Sequence, residues 1–392
     1  MERRGIHLGN PDGIKRAIEK AKQGKDVVVA FLGGSITQGS LASKPSSCYA
    51  YLVYQWWKKT FPDAGVTYIN AGIGGTSSLF GVARVQEDVL KHSPDFLVID
   101  FTVNDEDTDF FMETYESLIR RILSDPSQPA VMALCNVFYD DGKSAFEHHK
   151  KIINHYQIPY VSMKETLYQD ISDGLVELKH VTSDGLHPND AGHKIIADLI
   201  IEGLEEVGRE DLEIANGREI ADESETTYEL ETADKLKTTD EPKSGKTDPV
   251  TKCLYREASR IQNQSGDQRC TGFLVDNAIK YGVTDVFKGG WTGFQKGDCI
   301  VIEAKGSCLS VQYRRTVKRP APVAMAYLDG DRDHGVILDG NFDEDWGDCL
   351  AITPLLHHGT RGKHEIEIEI IKGVGEKETP FYLVSIIQSG DW

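Results

Sequence analysis

Three side chains of this sequence have types and spacings that can do chemistry together: Ser35 at the end of an apolar run, His187 far downstream, and Asp184 three residues before that histidine. A serine hydroxyl is a weak nucleophile until a base takes its proton, and imidazole is the base suited to neutral pH. His187 can supply that base. Asp184, on a turn just before it, can reach the second ring nitrogen and fix the tautomer. The tetrahedral oxyanion created by such an attack needs hydrogen-bond donors, and the N–H of Ser35, the N–H of Gly75 and the side-chain amide of Asn104 could provide them. The reaction class is acyl transfer to water.

These residues need a scaffold that brings them to one edge. Residues 27–32 (VVVAFL) form a strand-like apolar run that breaks at Gly33-Gly34-Ser35, and a helix is expected over 47–60. An earlier helix is expected from Asn10-Pro11-Asp12, with Ile14, Ala17, Ile18 and Ala21 at helical spacing until Gly24. A second strand, 66–70, runs into Ala71-Gly72-Ile73-Gly74-Gly75-Thr76, and a third, 96–101, ends in Thr102-Val103-Asn104-Asp105. Helices over 78–91, 109–123 and 144–156 alternate with these strands and with two more, at 130–134 and near Tyr160. The loop from Ser183 to His193 then feeds a last helix marked by Ile195, Ile196, Leu199 and Ile200. Strands alternating with helices predict a parallel sheet covered on both faces, whose carboxyl edge binds ligands. Ser35, Gly75, Asn104 and the Asp184–His187 pair all fall at that edge.

The chain of 392 residues is too long for one ordinary core. Its net charge of −19, from 43 basic and 62 acidic residues, opposes phosphate backbones and anionic membranes as main partners. The expected partner is a small-molecule substrate, with no nucleic acid and no membrane; homo-oligomerisation stays open. The first residues lack the apolar stretch of a signal peptide, and a cytoplasmic location is expected. Seven cysteines without a Cys-x-x-Cys pair read as free, buried thiols. No cofactor and no metal are expected. Asp184, His187 and His193 could be metal ligands, but no further ligand pair at a recognised spacing supports them. His193 reads as structural, and His148-His149 and His357-His358 as surface pairs.

Around residue 208 the composition turns polar and aperiodic, which divides the chain into a catalytic domain over 1–207, a linker or strap over 208–250, and a second domain over 251–392. The second domain has short β-rich runs at 299–303, 308–313, 323–328, 364–370 and 381–387, some alternating Ile with Glu, and reads as a β-sandwich of jelly-roll type. Trp291 and Trp346 sit among glycines and acids, as sugar-stacking aromatics do; both also suit hydrophobic plugs at the sandwich end.

Four ordered blocks, Gly-Gly-Ser-Ile-Thr, Asn-Ala-Gly-Ile-Gly-Gly-Thr, Val-Asn-Asp and Asp-Gly-Leu-His-Pro, resemble those of the SGNH (GDSL-like) hydrolases over residues 27–203. The resemblance implies a flavodoxin-like three-layer α/β/α sandwich, Ser35 as nucleophile, His187 as base, Asp184 as its orienting acid, and Ser35, Gly75 and Asn104 as the oxyanion hole. Two blocks depart from the pattern: the first reads Gly-Gly-Ser-Ile rather than Gly-Asp-Ser-Leu, and the third has Thr102 where many members have glycine; neither departure removes a catalytic group. Position 37 is Thr, so the Gly-x-Ser-x-Gly elbow is absent. Chains that join such a hydrolase to a β-sandwich resemble carbohydrate esterases that deacetylate plant-polysaccharide fragments. The competing readings are a lysophospholipid or general short-chain esterase and a carbohydrate-binding protein with a degenerate hydrolase domain.

Overall fold

A computed structural model describes residues 4–222, 247–264, 268–375 and 378–390. The alternation expected from the sequence is present: β1 (Ile6–His7), α1 (Asp12–Lys22), β2 (Val27–Gly33), α2 (Ser35–Gln38), α3 (Tyr49–Thr60), β3 (Val66–Gly72), α4 (Ser78–Asp88), β4 (Phe96–Asp100), α5 (Asp109–Leu123), β5 (Ala130–Cys135), α6 (Phe146–His155), β6 (Tyr160–Ser162), α7 (Gln169–Ser172) and α8 (Asp190–Asp222). The sheet order is β1-β6-β5-β4-β2-β3. Without the antiparallel edge β1, and counting from β2, this is the 2-1-3-4-5 order of flavodoxin-like sheets. The register sets Gly33 beside Asp100 at the carboxyl ends of β2 and β4.

The chain divides into two compact units, one of Met1–Ala71, Val89–Met112 and Ile122–Val250, the other of Gly72–Asp88, Glu113–Arg121 and Thr251–Trp392. In the first, Ile14, Ile18 and Ala21 of α1, Phe31 of β2, Val53 and Trp57 of α3, Val98 of β4 and Ile196, Ile200 and Leu204 of α8 share one buried apolar cluster. β4 and β5 are buried at every position, as expected of central parallel strands covered on both faces. Helix α8 continues to Asp222, past the point where its apolar periodicity thins near residue 208. Most of the expected strap, 223–246, lies outside the described residues.

The second unit carries two antiparallel sheets, built from β7 (Ser259–Ile261), β8 (Gln268–Thr271), β9 (Leu274–Val275), β10 (Trp291–Gly293), β11 (Cys299–Gly306), β12 (Cys308–Arg315), β13 (Val323–Leu328), β14 (Val336–Asp339), β15 (Cys349–Leu356), β16 (Gly362–Lys372) and β17 (Phe381–Ser389). One runs β15-β12-β17-β10-β9 with β7 on β17, the other β14-β13-β16-β11-β8. Leu309, Val311, Leu383 and Ile386 from the first sheet meet Ile300, Ile302, Ile366, Ile368 and Ile370 from the second in one core, which makes the pair the expected sandwich. The Ile/Glu alternation of β16 puts Ile366, Ile368 and Ile370 inside.

This unit also takes in α4 and the middle of α5. The Glu116 carboxylate accepts the N–H of Thr251 at 2.7 Å, Glu113 accepts that of Leu254 at 2.9 Å, and Arg121 donates to the carbonyls of Ala258 (2.6 Å) and Val82 (3.0 Å). The Arg260 guanidinium lies 5.0 Å from the Phe80 ring centre.

Candidate active site

Ser35 is the first residue of the short helix α2, directly after β2. Two neighbours make glycine the fitting residue at 33: a Cβ there would run into the Thr37 side chain and the Asp100 carbonyl. At 34 a Cβ would run into the side-chain amide of Asn104. Ser35 is 8 % exposed, and its N–H belongs to a first helical turn, where backbone donors have no acceptor within the helix.

His187 reaches Ser35 from the loop before α8. Its Nε2 is 2.8 Å from Ser35 Oγ, and its Nδ1 is 2.7 Å from Asp184 Oδ2. Asp184 Oδ1 accepts the backbone N–H groups of His187 (2.8 Å) and Leu186 (3.0 Å) and the Thr182 hydroxyl (3.2 Å). Burial disfavours the Asp184 carboxylate, but the hydrogen bonds from His187 and from these backbone donors outweigh it, and its pKa falls below the ordinary value. The loop is held at both ends: Thr182 and Pro188 form a β-bridge, and Asn189 Oδ1 caps α8 by accepting the N–H of Ala191 at 3.0 Å. An ionised acid on one imidazole nitrogen and a hydroxyl on the other is the arrangement that moves a proton from serine to histidine.

Asn104 sits where its loop is tied down. Its own N–H and that of Asp105 both donate to the Phe101 carbonyl at 3.0 Å. The Asp105 carboxylate lies 3.0 Å from His149 Nε2, with both side chains fully buried. His149 is therefore no surface residue, contrary to the sequence expectation, because α6 turns it inward to anchor the Asn104 loop. His148 keeps partial exposure beside Asp107 at 2.6 Å.

Beneath Ser35 lies a polar network that the sequence reading missed. Tyr49 donates to Thr37 Oγ1 (2.8 Å), which donates to Asp100 Oδ2 (3.1 Å); Asn136 donates to Asp100 Oδ1 (3.1 Å), and Tyr139 donates to Asn136 Oδ1 (3.1 Å). All these donors converge on one buried carboxylate at a strand end. Burial pushes the Asp100 pKa up to about 6, with the Asn136 and Thr37 hydrogen bonds working against it. An Asp closing an apolar strand was the available signal. His193 is structural: it accepts the Tyr49 N–H at Nδ1 (3.3 Å), meets the Ser40 carbonyl at Nε2 (3.2 Å), and burial keeps it neutral by lowering its pKa.

In the second unit, Gly75 has φ +66°, a left-handed conformation that favours glycine, and a Cβ built there would lie 3.6 Å from Trp346 Cη2. Trp346 is 57 % exposed, with Phe342 edge-on at 5.0 Å and its indole N–H on Glu344 at 2.5 Å. Trp291 differs. It is 0 % exposed inside the sandwich core, so it has no face to offer a sugar, and the substrate-binding expectation for it does not hold. The period-two pattern of β10 points it inward between β9 and β17.

A sequence profile of the GDSL-like Lipase/Acylhydrolase family matches residues 31–195, the span from β2 into α8 that carries Ser35, Asn104, Asp184 and His187. A solved two-domain esterase active on acetylated mannans is 45% identical, with 99% of this chain and 98% of that one covered and a TM-score of 0.87. The chain belongs to the GDSL-like lipase/acylhydrolase family. It is a carboxylic ester hydrolase of the two-domain kind. The same two-domain esterase, solved with mannopentaose, is 44% identical over 99% of this chain and 97% of that one, with a TM-score of 0.87. Among curated relatives, an acetylxylan esterase of Geobacillus stearothermophilus is 25% identical over 218 residues, 48% of this chain and 97% of its own length. The thioesterase 1/protease 1/lysophospholipase L1 of Escherichia coli K12 is 25% identical over 191 residues, 46% of this chain and 85% of its own. Among the described residues no helix is long and apolar enough to cross a membrane.

Proposed function

We propose that this esterase removes acetyl groups from acetylated plant-polysaccharide oligosaccharides, with acetylated mannan fragments the substrate class best supported. The single observation that carries the chemistry is the chain Ser35 Oγ, His187 Nε2, His187 Nδ1, Asp184 Oδ2, with 2.8 Å and 2.7 Å links. Ser35 Oγ attacks the acetyl carbonyl while His187 takes its proton, and the resulting imidazolium is stabilised by the ionised Asp184. The oxyanion accepts hydrogen bonds from the Ser35 N–H and the Asn104 amide, with the Gly75 N–H the further donor that the family resemblance implies. Collapse breaks the ester C–O bond, and His187 returns the proton to the departing sugar hydroxyl. Water, deprotonated by the same histidine, then releases acetate from acetyl-Ser35.

The choice of sugar is supported by the mannan-active esterase that shares 44% of residues across nearly the whole of both chains, sandwich included. The exposed Trp346 indole beside Gly75 supports a stacking surface for a pyranose ring. The test is incubation with acetylated mannooligosaccharides and acetylated xylooligosaccharides, followed by mass spectrometry. Successive loss of acetyl groups from the mannan series, faster than from the xylan series, is expected. Long-chain acyl glycerophospholipids cleaved in preference to both would replace this reading with a lipid esterase.

A further inference from the structure

A second cluster of potential ligands lies in the sandwich unit, among residues that play no part in ester hydrolysis. We propose that Glu113, His357 and His358 form a binding site for a divalent transition-metal ion, zinc by the chemistry of its donors. A carboxylate oxygen of Glu113 and one ring nitrogen of each histidine all lie within 4.8 Å of one another. Small side-chain rotations would bring them around one ion at the roughly 2.0–2.2 Å bond lengths of zinc with imidazole and carboxylate. Two imidazoles and one carboxylate suit zinc over calcium or magnesium, which take oxygen ligands.

The surroundings are those of a supported site. Glu113 is nearly fully buried on α5, and its Oε1 is held by the Leu254 N–H at 2.9 Å while Oε2 faces His358 Nε2 at 2.7 Å. The rings of His357 and His358 stack with centres 3.9 Å apart, which keeps the two imidazoles side by side next to Glu113. His357 Nδ1 is 2.9 Å from the hydroxyl of Tyr255, a fully buried residue, so the ring orientation is fixed from behind. Such outer partners hold ligands in place and tune their basicity. The histidines retain access to solvent, which provides an entry path and a fourth position for water. The sequence expectation of a surface pair is true of neighbouring His357 and His358 in exposure but misses the buried acid they face.

Bound there, the ion would tie α5 to the strand end after β15 across more than 240 residues of sequence. Its role is structural reinforcement, apart from the acyl chemistry.

The test uses the full chain, untagged and stripped of metal, titrated with zinc chloride by calorimetry and with cobalt chloride by visible absorption. About one zinc per chain, a four-coordinate cobalt spectrum and a higher melting temperature with zinc are expected. His357→Ala and His358→Ala, both at solvent-accessible positions, should each weaken zinc by at least about tenfold and remove the cobalt spectrum, with hydrolysis of 4-nitrophenyl acetate unchanged. Absence of saturable zinc binding, or an affinity unaltered in both variants, would overturn the proposal. Parallel loss of esterase activity in both variants would overturn the separation from catalysis.

Discussion

The side-chain amide of Asn104 fills the space that a Cβ on Gly34 would occupy. The glycine that replaces the family's aspartate is thus matched to the placement of Asn104 next to the nucleophile. Gly34→Ala should displace the amide and lower kcat roughly 10²-fold with a smaller change in KM, as Asn104→Ala should, because a donor to the oxyanion acts mainly in the transition state. Steady-state kinetics on 4-nitrophenyl acetate decide this. A double variant no worse than either single one would show that both act through the same contact, whereas a purely KM effect would make Asn104 a ground-state contact.

Ser35→Ala should abolish ester hydrolysis while thermal unfolding stays close to that of the parent, and a serine-directed organophosphonate should label Ser35. Asp184→Asn should keep the fold but lower kcat by roughly 10²- to 10⁴-fold, since the amide favours the wrong imidazole tautomer. Asp184 is held below the ordinary carboxylate pKa. It therefore stays ionised on mild acidification, so the acid limb of the rate profile should report protonation of the histidine base and not of Asp184. A profile flat to about pH 4.5 would count against a histidine base.

Asp100 gives a stability prediction of opposite sense. Its pKa is raised from 3.8 to about 6 by burial, so the folded state holds the proton more tightly than the unfolded chain. Its contribution therefore weakens stability as pH rises from about 4 to about 6 and levels off above that, by on the order of 3 kcal/mol. Asp100→Asn removes this titration. Melting temperatures of parent and variant should diverge in the variant's favour across that window, measured by scanning calorimetry at matched pH values. A constant difference would show that Asp100 titrates normally.

Trp346→Ala should separate two activities. If the exposed indole stacks on a sugar, its loss should lower kcat/KM on acetylated mannooligosaccharide by about tenfold for each ~1.4 kcal/mol lost while hardly changing 4-nitrophenyl acetate hydrolysis. Equal losses on both substrates would indicate a folding defect. Trp291→Ala, by contrast, should destabilise the sandwich by about 3–5 kcal/mol as a core truncation.

The doubly wound part of the fold was legible because its central strands are apolar throughout and end in glycine or polar residues, as at Gly33-Gly34-Ser35 and Asp100 to Asn104. Ser35, His187 and Asp184 were legible for the same reason: a nucleophile, a base and an acid stood at strand ends and loops. The Asp100 network was not, since convergence of Thr37, Tyr49, Asn136 and Tyr139 on one carboxylate is set by tertiary packing. Nor was β15, an edge strand that tolerates Pro354 because an edge residue need not donate to a neighbour. Trp291 misled because glycines on either side suggested a loop, whereas Gly290 and Gly293 are small to let the Leu383 carbonyl and the Phe273 ring approach.

Helices α4 and α5 supply the last consequence. Glu113, Glu116 and Arg121 find partners at Leu254, Thr251 and Ala258, although they are encoded far upstream within the hydrolase portion of the gene. Deleting everything after residue 250 would leave three charged groups on one helix without those partners, a loss that the polar boundary near residue 208 does not foretell. The sandwich is consequently a poor cassette for recombination. A hydrolase that had recruited it and then tuned α5 to it could not exchange it for another module without first repairing that helix, so the two halves of the gene should be inherited together.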